Sequence, residues 1–485
     1  MNKGRPRLIP LPQGEAAAHF APCQTLARSV QRFNARILQG IPAPLLVLTA
    51  AMFLSPASGA SGLPDLLLPA GVGVNIHFTR GHEKDLDLIA AAGFKFVRED
   101  FSWGAIERRK GEYDWSDYDD LTARLGRRGV RAYFILDYSN PLYEGSVRAT
   151  NPVTGALEQR SPASPQHPES VAAFANWAAA AAKHFRGRDV IWEIWNEPNI
   201  GFWKPKPDAE QYAALALATC RAMRQAEPQA TIVGPASSTF PWAFLETVFR
   251  SGVLDYLDGI SVHPYRPPTR PPESAAGDYR KLRALLEKVA PGKGGRIPII
   301  SGEWGYSSNT RGVSLKQQAN YIARQQLSNL LSGVPVSIWY DWKNDGDDPG
   351  ENEHNFGIVD SGLAPKPAYT AIQILTRELA GSHLDGRMDT GNTNDFVLRF
   401  SQQGQQAKLA AWTIAGAGQV NLRVPHAAVN ECSFVNGAGE RGKLQIQNGR
   451  ALLPLDGNPK YVDLQGCEIG LFPLNPTAAG ARGTP

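Results

Sequence analysis

A (β/α)8 TIM barrel followed by a small C-terminal β-sandwich is the fold class that this sequence predicts, on three observations. From residue 71, strand-like and helix-like segments alternate eight times over roughly 300 residues, the pattern of βα units around a parallel sheet. The first strand runs into HFTRGHEKD, which lacks the Gly-rich phosphate loop expected of an open doubly wound sheet. Past the last helix, near residue 380, the chain turns to short strands broken by turn residues.

The eight strands are expected at GVGVNIHF (71–78), FKFVRED (94–100), RAYFILDYS (131–139), DVIWEIWNE (189–197), TIVGPAS (231–237), LDGISVHPY (257–265), IPIISGEWG (297–305) and VPVSIWYDW (334–342). Each is a short apolar or β-branched run of the length of a buried strand. Helices are expected to follow them, among them 82–93, 169–185, 208–227, 315–331 and 368–379, whose apolar residues recur every three or four positions and can cover one face of a sheet. Strands at 395–400, 407–413, 419–425, 443–457 and 460–466 make the sandwich, with Asn448 and Gly449 suited to a two-residue hairpin turn. The domain plan is a leader over 1–60, a barrel over 64–380, a sandwich over 381–475 and a disordered tail over 476–485.

An apolar fraction of 42% with 20% charged residues describes a soluble protein with a sizeable core. A net charge of +4 gives no nucleic-acid footprint, and none is expected as a partner. The basic excess gathers at the start, where Arg5, Arg7, Arg28, Arg32 and Arg36 meet only Glu15. This leader passes into LLVLTAAMFL (45–54) and SPASGASG (55–62), the order of a secretory signal. Export is therefore expected, to the periplasm or beyond, with cleavage near Ala60; a retained anchor in the inner membrane is the alternative. Cys23, Cys220, Cys432 and Cys467 form no zinc-binding spacing, so no metal or cofactor is expected; Cys432 and Cys467 either pair or remain two buried thiols.

Barrel active sites sit at the C-terminal ends of strands, and the costly side chains of this sequence fall there. Strand four ends in Asn196 and Glu197, strand six in His263 and Tyr265, and strand seven in Glu303. Strand two carries Arg98, Glu99 and Asp100, and strand eight ends in Trp339, Tyr340, Asp341 and Trp342. Cleaving an acetal needs one carboxyl to protonate the leaving oxygen and another, ionised, to meet an oxocarbenium-like transition state. Two glutamates from separate strands, in a cleft walled by aromatics, meet that need.

WEIWNEPN, with SGEWGYS about a hundred residues later, resembles the Asn-Glu and second-Glu signatures of clan A glycoside hydrolases, retaining enzymes on (β/α)8 barrels. The early GVGVNIHF strand, FVREDFSWGAIERRKGEYDW (96–115) and the trailing sandwich make the chain most similar to family 39, which includes β-xylosidases, α-L-iduronidases and glycosidases of bacterial exopolysaccharide pathways. WYDWKNDGDDPGENEHNFGIV (339–359) leans toward the last group, and the cellulase-like family 5 is the nearest competitor. The resemblance covers roughly residues 70–470. It implies that Glu197 is the acid/base and Glu303 the nucleophile, that Asn196 binds the sugar 2-hydroxyl, that Tyr265 or His263 touches the nucleophile, and that Arg98 keeps it ionised.

Trp103, Phe202, Trp203, Trp304, Tyr306, Trp339 and Trp342 are candidate sugar platforms, with Trp339 and Trp304 foremost. Glu193 is expected inside the barrel as the buried partner of a basic group. The loop DGDDPGENE (345–353) has oxygen ligands but not the EF-hand spacing, so a solvated or substrate-facing role is expected; His263 and His354 are expected to hydrogen-bond rather than bind metal. The sequence thus leads to an exported retaining β-glycosidase, endo-acting on a polysaccharide. Exo-action on a small β-xylosidase-like or cellulase-like substrate, and a catalytically silent polysaccharide-binding protein, are the alternatives. Oligomeric state is not legible.

Overall fold

The computed structural model describes residues 62–148, 160–402, 405–424, 430–464 and 470–471. The leader, Cys23, Cys467 and the tail lie outside the described residues. Eight parallel strands close into a barrel: β1 (Val72–Asn75), β2 (Phe96–Ser102), β3 (Arg131–Asp137), β4 (Ile191–Ile194), β5 (Thr231–Ser238), β6 (Gly259–His263), β7 (Ile299–Trp304) and β8 (Ser337–Trp339). Every strand pairs with its neighbours in chain order, and β8 closes on β1 through Trp339 opposite Val74.

Helices return each strand to the next, and their starts follow capping chemistry. Asp208 accepts from the backbone N–H groups of Glu210 and Gln211, both at 3.0 Å, to begin the helix Ala209–Ala226. Ser314 and Gln317 form a capping box for Leu315–Leu331. Pro168, whose missing N–H costs nothing at a first helical turn, opens Pro168–His184. Among the described residues no helix is long and apolar enough to cross a membrane.

Side chains alternate in and out of the barrel with a period of two. The inward set at the bottom is apolar: Phe96, Tyr133, Ile191, Val233, Ile300, Val336 and Ile338 form one buried cluster. Two residues further along, the inward positions turn polar, with Arg98 on β2, Glu193 on β4 and His263 two past Ser261 on β6. The apolar layer shuts the barrel floor, and the site stands on the layer above it.

The sandwich has a seven-stranded antiparallel sheet facing a three-stranded one. In the larger sheet, Asp395–Gln402 pairs with Gln405–Thr413, and both faces are buried by alternation. Val397, Leu409 and Ala411 look into the sandwich core, whereas Leu398, Phe400, Ala410 and Trp412 pack on the barrel's hydrophobic shell. Asn448 and Gly449, at φ 51° and 71°, do make a two-residue turn, but the strands it joins diverge: Arg441–Gln445 stays in the larger sheet and Arg450–Asp456 enters the smaller. Strands Ser382–Arg387 and Glu431–Asn436 were not expected, nor was Leu67–Leu68, which precedes the barrel yet pairs with Ser382 and His383.

A hydrogen bond from the sandwich to a buried ion pair of the barrel helps fasten the two together. Glu273, just before the helix Ala275–Val289, accepts from Arg324 Nε at 2.7 Å and Nη2 at 2.8 Å, and from the indole N–H of Trp412 at 2.7 Å. Replacing Glu273 with Ala leaves a buried guanidinium without its carboxylate, so a loss of about 3 kcal/mol is expected in the unfolding free energy, read from urea midpoints.

Candidate active site

Asn196 and Glu197 follow β4 directly, where the backbone leaves the strand. Trp195 and Glu197 have φ of 68° and 46°, the left-handed region that costs a non-glycine residue about 1–2 kcal/mol. A plain strand would send Asn196 and Glu197 to opposite faces; the twisted exit brings both to the same cleft. The bond from Glu197 N–H to Ala236 O, 3.0 Å, holds this bend against β5. Glu303 reaches the cleft from β7, after Gly302. A Cβ at Gly302 would collide with Ser261 Oγ and stand 2.8 Å from Glu193 Oε1, so glycine lets β7 run close past the buried carboxylate.

Arg98 is the hub. Its guanidinium, 1% exposed, donates to Glu193 Oε2 (2.8 Å), Asn75 Oδ1 (3.0 Å), Asn196 Oδ1 (2.9 Å) and Glu303 Oε2. Glu193, fully buried, also accepts from Tyr133 Oη at 2.8 Å and from Ser261 Oγ, which explains a carboxylate inside a strand. Tyr265 donates to Glu303 Oε1 at 2.7 Å. His263 Nδ1 lies 3.0 Å from Glu197 Oε1, so the histidine meets Glu197 and the tyrosine meets Glu303. One carboxylate oxygen each of Glu197 and Glu303 and a ring nitrogen of His263 lie within 4.8 Å of one another.

These contacts set charge. Burial opposes ionisation of Glu303, but the Arg98 charge, the His263 charge and the Tyr265 hydroxyl overcome it and hold its carboxyl below the usual range. Glu193 is likewise brought down to about 2, chiefly by Arg98 working against burial. Burial also disfavours the charged form of His263, yet Glu303, Glu193 and Glu197 raise it to about 9, so the ring is cationic at neutral pH. Burial and the Glu303 charge push the Tyr265 phenol well up, keeping it a donor.

Two expected results follow. Tyr265→Phe removes a donor from the ionised Glu303, so kcat/KM on any substrate turned over should fall about 10- to 100-fold and the acid limb of its pH profile should move upward. Stability has a sign on each side. Glu193 binds protons more weakly folded than unfolded, so its contribution, full above about pH 4.5, fades as pH falls toward 2. His263 contributes fully below about pH 6.5 and less as pH rises through 9, while Glu99, raised to about 8 by burial and by Asp100, costs stability as pH climbs above 4.5. Denaturation midpoints should therefore peak in mildly acid solution.

The cleft holds about 440 Å3 and is lined by Asn75, His77, Arg98, Asp100, Tyr138, Asn196, Glu197, Phe202, Ser238, Tyr265, Glu303, Tyr340, Asn352, Glu353 and Phe356. Arg98, Asn196, Glu197, Tyr265 and Glu303 are thus brought together, with His263 buried just behind Glu197. The tryptophan platforms are corrected. Trp103, Trp203, Trp304, Trp339 and Trp342 are each at most 1% exposed and offer a sugar no ring face. The strand ends explain it: the register of β7 slips between Ser301 and Trp304, which leaves Glu303 in the cleft and Trp304 in the helix layer, and Trp339 follows the inward Ile338 and points outward too. The indoles of Trp103, Trp203 and Trp342 donate to Glu107, Gln211 and Asp85 within that shell. Phe202 does line the cleft, stacked on Tyr138 at 5.8 Å, and Tyr306 is buried. Sequence reasoning passed over Tyr138 and Phe356; Tyr138 lies one residue past β3, where the strand-end rule applies equally.

A closed parallel barrel with two carboxylates, an arginine and an asparagine at its C-terminal rim defines the clan A glycoside hydrolases. Residues 70–346, more than half of the chain, match the family model for cellulase (glycosyl hydrolase family 5), and the chain belongs to that family of clan A. Within the clan it is most similar to family 39. A family 39 glycoside hydrolase from the gut symbiont Bacteroides cellulosilyticus WH2 superposes with a TM-score of 0.69 at 26% identity, over 83% of this chain and 82% of that one. A family 39 β-xylosidase from Caulobacter crescentus shares the fold, with TM-score 0.60 and 18% identity over 84% of this chain and 98% of that one. A curated β-xylosidase of Caldicellulosiruptor saccharolyticus is 25% identical over 210 residues, 39% of this chain and 41% of its own length. One from Geobacillus stearothermophilus is 27% identical over 227 residues, 41% and 44% of the two chains. The match thus spans about two fifths of these curated relatives.

Proposed function

We propose that the protein is a retaining β-glycoside hydrolase that works by double displacement. The observation that carries this is that a carboxylate oxygen of Glu197 and one of Glu303 lie within 4.8 Å of each other, which suits a retaining pair, with carboxyl groups ~5–5.5 Å apart, better than the wider ~6.5–9.5 Å of an inverting one. Glu303, kept ionised by Arg98 and Tyr265, attacks the anomeric carbon while Glu197 gives its proton to the departing oxygen. Glu197 then takes a proton from water, which releases the sugar with its configuration kept. Asn196, held between Arg98 and Tyr138, is placed to bond the sugar 2-hydroxyl.

The substrate in this reading is a polysaccharide outside the cytoplasm, a bacterial exopolysaccharide, cut internally. Aromatic rings beside both carboxylates support it: Tyr138 and Phe202 stand on the Asn196 side, and Tyr265, Tyr340 and Phe356 on the Glu303 side, so sugars have a wall on each flank of the scissile bond. The leader pattern supports export. Exo-action is the second reading, favoured by the burial of all five tryptophan platforms and by the β-xylosidase relatives.

The test is turnover of a panel of bacterial exopolysaccharides, xylans and glucans, with Glu197→Gln as control, following product size and anomeric configuration. Shortened chains of retained configuration, absent with the variant, are expected; monosaccharide alone selects exo-action. Inverted products overturn the mechanism. Binding without cleavage by the wild type points to a silent polysaccharide-binding protein.

A further inference from the structure

A second cluster of ligand-type side chains stands at the rim of the cleft, apart from Glu197 and Glu303. His77 follows β1, Asp341 follows β8, and Asp345 lies in the acidic loop beyond. One ligand atom from each lies within 4.8 Å of the other two. Acidic clusters are common on surfaces, but Asp341 is not at the surface: it is 1% exposed, and neither of its carboxylate oxygens accepts a hydrogen bond of ordinary geometry. Glu193 and Glu303 differ, since Glu193 accepts from Arg98, Tyr133 and Ser261, and Glu303 from Arg98 and Tyr265; Asp137, at the end of β3, shares the lack of donors but belongs, among the described residues, to no such cluster of ligand-type side chains. A buried carboxylate without donors is costly unless a positive charge meets it.

We propose that His77, Asp341 and Asp345 form a divalent-cation site, and that the cation is zinc. His77 Nε2 and Asp341 Oδ2 stand 3.4 Å apart. In tetrahedral zinc with bonds of ~2.0–2.2 Å, neighbouring ligands are separated by about 3.3–3.6 Å, so this pair already spans one edge of the polyhedron. Asp345, exposed, closes the third position by a side-chain rotation. One imidazole with two carboxylates suits zinc better than calcium, which takes six to eight oxygens. Three protein ligands leave a fourth position open on the side where His77 lines the cleft, available to water or a sugar hydroxyl. The ion also ties the loop that carries Asn352 and Glu353, both cleft residues, to the end of β1.

The test is calorimetric titration of the chelator-treated full-length protein with zinc chloride, with calcium and manganese chlorides in parallel, and thermal unfolding under the same conditions. One zinc per chain, bound more tightly than calcium or manganese and raising the unfolding midpoint, is expected. Asp341→Asn and His77→Gln should each abolish stoichiometric binding, and Asp345→Asn should weaken it more than about tenfold, with circular dichroism confirming that the variants fold. Absence of stoichiometric zinc binding, or binding that survives Asp341→Asn and His77→Gln, overturns the proposal and leaves a His77–Asp341 ion pair. Zinc lost in Glu303→Gln but kept in Asp341→Asn overturns it too, by placing the ion on Glu197, His263 and Glu303.

Discussion

Glu303→Gln is expected to lower kcat/KM by at least about 10^4-fold, or ~5.4 kcal/mol of transition-state stabilisation, with KM changed far less. The amide keeps the shape, but its single oxygen can accept from only one of Tyr265 and Arg98, and it carries no charge to meet the anomeric carbon. Folding should survive at some cost in stability, because the surroundings favour the ionised carboxyl but Arg98 keeps Glu193, Asn75 and Asn196 as partners. Kinetics on an activated aryl glycoside, with the denaturation midpoint as control, checks both halves. A variant that folds and retains more than a hundredth of wild-type turnover would remove Glu303 from the nucleophile's role.

Arg98→Met should be the most destabilising single change in the barrel interior. Arg98 is the strongest opposing charge for two buried carboxylates, and breaking such a pair on one side costs about 3–5 kcal/mol. Both carboxyls would move upward in pKa, so turnover near neutral pH falls along with stability. A second substitution separates these effects. Glu193→Gln added to Arg98→Met removes one stranded charge and should recover part of the lost stability, while Glu303 remains without its guanidinium and activity stays low. Equilibrium unfolding of the two single variants and the double variant, with pH–rate profiles, reads the difference.

The barrel was legible because each strand is a short apolar run closed by a polar end, and because period two and period 3.6 alternate over a long stretch. Glu197, Glu303 and Arg98 were legible for the same physical reason: ionisable groups at the ends of buried strands need partners or a use. The tryptophans misled because side-chain direction at a strand end depends on single residues. Glu303 and Trp304 are adjacent yet face opposite ways, whereas Asn196 and Glu197 are adjacent yet share the cleft, and the left-handed turn responsible leaves no mark in residue type. In the sandwich, SHLDGR escaped notice because its register slips between Leu384 and Gly386, breaking the alternation that reveals a strand. Leu67–Leu68 is too short to carry a period at all.

That two-residue strand has consequences for how the protein can be taken apart. Leu67 and Leu68 come before the barrel yet complete a sheet whose other strands come after it, and the same sheet buries Trp412 and Phe400 against the barrel. The C-terminal part is therefore no detachable module, and a boundary drawn at residue 380 would cut a shared core instead of a linker. Truncation there exposes Trp412's partners and strips Glu273 of a donor, so a shortened chain that fails to hold polymer would be reporting lost folding, not a lost binding face. Point changes on the outer sheet, which leave the inner sheet seated, are the way to ask whether the sandwich holds a glycan.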